Sequence, residues 1–301
     1  MTNVENYINL TLEYVKSTDY IYGTIGYTIF NNNDKEIIIF SDMHDKLPAC
    51  IYEDKEICNH HECIKIKSIN IADWLKDKIK QSNIIVLLEE IERDDEYKLE
   101  SLWNLSSHTI ALANLYLDNM NTIIPIDIRP HLIPFSWELS EQYEHITLQF
   151  YIKDIQDFFT FKHKKLNSLF DKYNVPIHKS EYLLTHLKLI YEKFIKLYKI
   201  IEEKQLLNIS VKTILLKHKK IFLKFESILN DCMEWYICIL IYHYMTNNTI
   251  IIHAGLYHTS KLNSILSLYY NFNLLKKAGC VSLSKIQIQK RKHECQFIKK
   301  I

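Results

Sequence analysis

The hydrophobic period changes several times along the chain, and each change marks an expected element. Residues 4–16 have helical spacing, with Val4, Ile8, Leu10, Leu12 and Val15 only partly on one stripe. Tyr20 to Phe30 is rich in Tyr, Ile and Thr, and the run Asn31-Asn32-Asn33-Asp34 after it is a turn signal. Glu36 to Phe40 is a short continuous apolar run, the mark of a buried strand, so the pair predicts a hairpin leading into the core. A loop is expected from Ser41 to about Lys67. Ser68 or Asn70 then stands where a cap belongs, ahead of a helix that puts Ile71, Trp74, Leu75 and Ile79 on one face. Asn83 to Leu88 reads as a second buried strand, residues 105–120 as a helix, and Thr122 to Ile128 as a third strand. Pro125 within that strand points to an edge or an irregular segment.

From Trp137 to Met245 the period is helical throughout, with lysine-rich polar faces and no glycine. Three or four long helices are expected, with breaks at Val175-Pro176 and around Leu207 to Ser210. Thr249 to His253 is a fourth strand pattern, followed by a helix from about Thr259 to Tyr270 and a short strand at Val281 to Leu283. Strands alternating with helices predict an α/β fold: a largely parallel sheet flanked by helices, with a long all-helical insertion. The expected division is residues 1–136 and 247–301 for the two parts of the α/β domain and 137–246 for the insertion. A basic tail closes the second part.

Composition narrows the function classes. The 301 residues include 48% hydrophobic and 24% charged side chains, an ordinary globular balance. With only 4 glycines, at 23, 26, 255 and 279, neither a dinucleotide fingerprint nor a phosphate-cradling loop can be assembled. A net charge of +1 offers no electrostatic reason to expect nucleic acid as the main partner. No apolar run approaches the roughly 20 residues of a membrane span, and the N-terminus lacks a secretory pattern. The 7 cysteines are scattered, which fits a reducing, intracellular setting with free thiols. Abundant Ile, Lys, Asn and Tyr, with Lys far ahead of Arg, fit an A/T-rich genome. The rare residues therefore carry more information, among them Arg93, Arg129 and Arg291, which are all the arginines.

In open parallel sheets, ligands gather beyond the carboxyl ends of the strands. All four strand patterns end in polar, ionisable residues: Ser41-Asp42-Met43-His44-Asp45, Glu89-Glu90, Asp127-Ile128-Arg129 and His253-Ala254-Gly255-Leu256-Tyr257-His258. Two histidines and a carboxylate from separate strand ends suit a divalent metal such as Zn or Mn with an open position for water. The candidate ligands are His44, Glu89 and His258, with Asp42 and His253 beside them. Alternatively the same groups work without metal, one His as general base and a Glu as its partner. His44, Glu89, Glu90, Arg129 and His258 are the candidate catalytic residues. Arg129 either clamps an anionic substrate group or holds Glu89 or Glu90 ionised. Gly255 lets the backbone pass close to a ligand or start the next helix tightly.

On these residues the chain resembles the TraB/Tiki group, part of a wider superfamily with erythromycin-esterase-like and ChaN-like proteins. The marks of that group are two GxxH motifs, a Glu and an Arg. Gly255-Leu256-Tyr257-His258 matches one GxxH, and Ser41-Asp42-Met43-His44 matches the other with Ser in place of Gly. Glu89 or Glu90 takes the place of the Glu, and Arg129 that of the Arg. The chain is also similar to proteins of large DNA viruses carrying the same run of motifs. The resemblance implies a hydrolase of peptide or ester bonds, metal-dependent in some branches and haem-binding in another. Two other readings stand beside it. Asp42 and His44 also look like the DxH start of a calcineurin-like metallophosphoesterase, whose glycine-bearing middle motifs are missing here. The fold also suits a non-catalytic binding or virion-associated protein that uses the helical insert as its surface.

A second cluster, Cys50, Cys58, His60, His61 and Cys63, contains good zinc ligands but not the paired spacing of a zinc ribbon. An incidental loop is the alternative. The aromatic residues of the helical stretch read mainly as core.

Overall fold

The computed structural model describes residues 20–32, 35–42, 56–59, 62–65, 68–81, 83–90, 107–132, 145–175, 181–244, 249–279, 281–282 and 298–299. The chain divides into two compact units. An α/β unit takes in Met1–Leu88, Trp103–Ile124 and Asn247–Ile301, and a helical unit takes in Glu89–Leu102 and Pro125–Thr246.

The α/β unit is built on a six-stranded sheet of order β10-β2-β3-β9-β7-β8. These strands are β2 (Gly26–Asn32), β3 (Lys35–Asp42), β7 (Ile84–Leu88), β8 (Ile123–Pro125), β9 (Thr249–Gly255) and β10 (Asn273–Gly279). β9 runs parallel to both β3 and β7, the arrangement expected of strands joined through helices. The expected hairpin is present as β2–β3, antiparallel with Phe30 opposite Ile37. β3 and β9 read as continuous isoleucine-rich runs because both faces of the sheet are covered. On one face Ile38, Phe40, Val86 and Ile251 pack with Trp74 and Leu75 of α1 (Ile71–Lys78) and with Leu112 and Tyr116 of α2 (Ser107–Asp118). The Phe40 and Trp74 rings meet edge to face at 5.2 Å. Asn70 caps α1 through a side-chain bond from the Ala72 amide, one of the two caps expected.

Three further pieces complete this unit. The expected loop between Ser41 and Lys67 contains a two-stranded ribbon, β4 (Glu56–Asn59) and β5 (Glu62–Lys65). A small sheet joins β1 (Tyr20–Tyr22) to β6 (Ser68–Asn70) and β11 (Ile298–Lys299). The helix after β9 is α9 (Leu256–Tyr269), which starts three residues earlier than its periodicity suggests. The polar His258-Thr259-Ser260 interrupt the apolar pattern near the helix start, and His258 and Thr259 already lie in the first turn. The helix at residues 4–16 lies outside the described residues.

The helical unit holds α3 (Arg129–Leu132), α4 (Leu148–Phe159), α5 (Lys164–Lys172), α6 (Glu181–Glu203), α7 (Val211–Lys217) and α8 (Lys219–Tyr244). The two expected breaks fall between α5 and α6 and between α6 and α7. α8 is the central helix: every residue from Ile228 to Ile241 is buried. A helix buried all round needs partners on every side. Phe158, Phe161 and Phe170 supply them around the Trp235 ring, while its Nε1 donates to the Leu183 carbonyl at 2.9 Å. Among the described residues no helix is long and apolar enough to cross a membrane.

Candidate functional site

Two groups of buried polar residues sit at strand ends, one in each unit. In the α/β unit the strand ends are level: Ser41 of β3 lies beside Ala254 of β9, and Asp42 beside Gly255. Ser41, Asp42, His253, His258 and Thr259 are all buried. The Ser41 hydroxyl shares a 2.8 Å hydrogen bond with that of Thr259, the residue after His258. The Thr24 hydroxyl donates to the Ser41 carbonyl at 2.7 Å, and the Ile25 amide donates to it at 2.8 Å. The serine that replaces the motif glycine thus fastens the end of β3 to the first turn of α9. A glycine has no hydroxyl for that bond.

His253 lies inside β9, opposite Phe40 and Leu88 in register. Its Nε2 faces the Gly23 carbonyl at 3.4 Å, so this histidine steadies the turn ahead of β2. His258 sits in the first turn of α9 with the Tyr257 ring set edge-on at 5.4 Å. Lys261 in turn covers the Tyr257 ring, its Nζ 4.4 Å from the centroid. Gly255 occupies the N-cap of α9 at φ −56°. That φ is open to any residue, so Gly255 starts the helix without needing a glycine-only conformation.

In the helical unit the organising residue is Arg129, the first residue of α3. Its Nε and Nη2 each donate at 2.8 Å to the two oxygens of Asp127, a bidentate fork. Nη2 also reaches Glu89 Oε1 at 3.0 Å, and Nη1 reaches Asn230 Oδ1 at 2.9 Å. The Arg129 side chain is 13% exposed and that of Glu89 is 2% exposed, so the pairing is shielded from water. Asp127 accepts in addition the Arg129 backbone amide at 3.1 Å, and the Asp127 amide donates to the Glu90 carbonyl at 3.0 Å. Burial pulls the guanidinium pKa down. The charge and hydrogen bonds of Asp127, then the charges of Glu89 and Glu234, outweigh it, and the pKa ends above its ordinary value. An arginine so placed stays cationic.

Arg129 is thus engaged by protein groups, Asp127, Glu89 and Asn230 among them, rather than set out as a bare clamp. The pattern of α8 was the clue missed in the sequence. Glu226, Asn230 and Glu234 fall at i, i+4 and i+8, which puts these three polar residues on one face of the helix. Asn230 bonds Arg129, and the charges of Glu234 and Glu226 act on it.

His44 and Asp45 lie outside the described residues. So do Cys50, His60 and His61 of the possible zinc cluster, while Cys58 and Cys63 occupy opposed register positions on β4 and β5. Among the described residues no group of three or more His, Cys, Asp or Glu side chains is placed to hold a metal ion. The Zn or Mn set expected from His44, Glu89 and His258 includes His44, which lies outside those residues. The chain matches no family model, no curated protein and no solved structure.

Proposed function

We propose that the chain is a hydrolase of peptide or ester bonds, of the TraB/Tiki and erythromycin-esterase-like kind. The observation that carries this reading is the Arg129 fork. It fixes Glu89, directly after β7, as a buried carboxylate held by a permanent cation. A carboxylate so held keeps its direction, as a group that orients water or a reacting proton must. In the α/β unit, buried His258 is the acid/base candidate, and the Ser41–Thr259 bond steadies the helix turn that bears it. Asp127 and Asn230 act through Arg129 as positioning residues.

The test is hydrolysis of a panel of p-nitrophenyl esters and of fluorogenic peptides by the purified full chain. Glu89→Gln and His258→Ala are expected each to lower kcat by about 10²–10⁴-fold with the fold intact by circular dichroism. Full activity in both folded variants overturns the reading.

One observation favours a second reading, a non-catalytic binding protein on the same fold. Arg129 spends its fork on Asp127, Glu89 and Asn230, which is also what a purely structural weld requires. That reading expects no turnover of any panel member and no effect of the His258→Ala change on whatever the protein binds.

A further inference from the structure

The helical unit carries a surface of different chemistry at the corner where α7 gives way to α8. From Lys204 to Phe225 the chain has lysine at 204, 212, 217, 219, 220 and 224 and no Asp or Glu, although its charges as a whole nearly cancel. His218 alone separates the two helices. On α8 the exposed residues Lys219, Lys220, Leu223, Lys224 and Ser227 recur at the spacing of one helix face. Ile221, Phe225 and Ile228 on the other side are buried. Leu216, at the end of α7, is 74% exposed and Leu223 is 49% exposed.

A single exposed leucine is ordinary. Two exposed leucines interspersed along the chain with four exposed lysines make a segment that is cationic and apolar together. Lysine neighbours repel one another and gain from an anionic partner, whereas the leucines gain only from an apolar one. An anionic bilayer interface offers both at the right depth, with headgroup charge outside and the acyl boundary a few ångströms below. The lysine stems lie along the apolar layer while their ammonium groups stay at the headgroups. Nucleic acid satisfies only the charges. The corner has no Arg for bidentate phosphate or base contacts, and its exposed residues include no aromatic ring for base stacking.

We propose that the α7–α8 corner is a docking surface for an anionic lipid membrane. Leu216 and Leu223 enter the interface, and Lys217, Lys219, Lys220 and Lys224 meet the headgroups. This assignment stands apart from the hydrolase reading, since none of its residues belongs to either strand-end group.

Sedimentation of the full chain with phosphatidylcholine vesicles, with and without phosphatidylserine, tests it. Binding is expected to the serine-lipid vesicles only and to weaken as salt is raised. Lys219→Ala with Lys220→Ala is expected to weaken it about 25-fold, at about fivefold for each lysine near the surface. Leu216→Ser with Leu223→Ser, which touches no charge, is expected to weaken it about tenfold. Circular dichroism like that of the unaltered chain shows that each variant is folded. Equal sedimentation with both vesicle types, full binding by folded variants, or preferential capture by a labelled oligonucleotide in competition overturns the proposal. So does a homodimer that the leucine variants dissociate in the absence of vesicle binding.

Discussion

Arg129 is one of three arginines in a chain that otherwise carries its positive charge on lysine. Its contacts explain the exception. A planar guanidinium reaches three acceptors in fixed directions, whereas an ammonium is a single point charge. Removing it strands Asp127 and Glu89 as buried carboxylates without their cation. Arg129→Met is therefore expected to destabilise the protein by about 3–5 kcal/mol, read from urea denaturation. Glu226 gives the opposite case. Burial raises its carboxyl pKa, and the charge of Arg129 only partly counters this. A carboxyl whose folded pKa is raised binds its proton more tightly in the folded state. Its favourable contribution is then present below the ordinary Glu value and is lost as pH rises through the folded pKa. Glu226→Gln is expected to raise Tm at pH 7 and to give little change at pH 4. An equal shift at both values would contradict this account.

The elements differ in how plainly the sequence announced them. β3, β7 and β9 were legible because strands buried on both faces become unbroken isoleucine and valine runs bounded by polar residues. β10 was not legible. Asn273 to Gly279 forms the edge of the sheet and is mostly exposed, so no burial constraint shaped its residues, and Lys276-Lys277 reads as loop. What fixes this strand is glycine. Gly279 has φ +71° and pairs with Gly26, and a Cβ on it would collide with the backbone of Ile25 and Gly26. Gly279→Ala is expected to free the end of β10 from β2, seen as faster hydrogen exchange at those alternate β2 amides that point to β10, with the β3–β9 amides unchanged. The polar stripe of α8 escaped for another reason. Glu226, Asn230 and Glu234 look incidental until the element is known to be one unbroken helix that lines them up.

At the scale of the molecule, the chain passes between the two units after Leu88, Leu102, Ile124 and Thr246. The sequence foresaw an α/β sheet and a helical insertion because short apolar runs alternate with helical spacing before residue 137, the spacing is helical throughout from 137 to 245, and an apolar run returns at 249. It did not foresee that Glu89 and Arg129 belong with the helices. Both directly follow strand patterns, and only the hydrogen bonds to Asp127 and Asn230 reveal their allegiance. Among the described residues each unit also has one indole in its core. Trp74 packs on Phe40 in the α/β unit, and Trp235 lies among phenyl rings in the helical unit with its ring nitrogen bonded. The two indoles thus act as separate optical labels. Fluorescence from single-tryptophan forms of the chain, followed through one denaturant titration, reads out whether the sheet and the helices melt as one cooperative body or in succession.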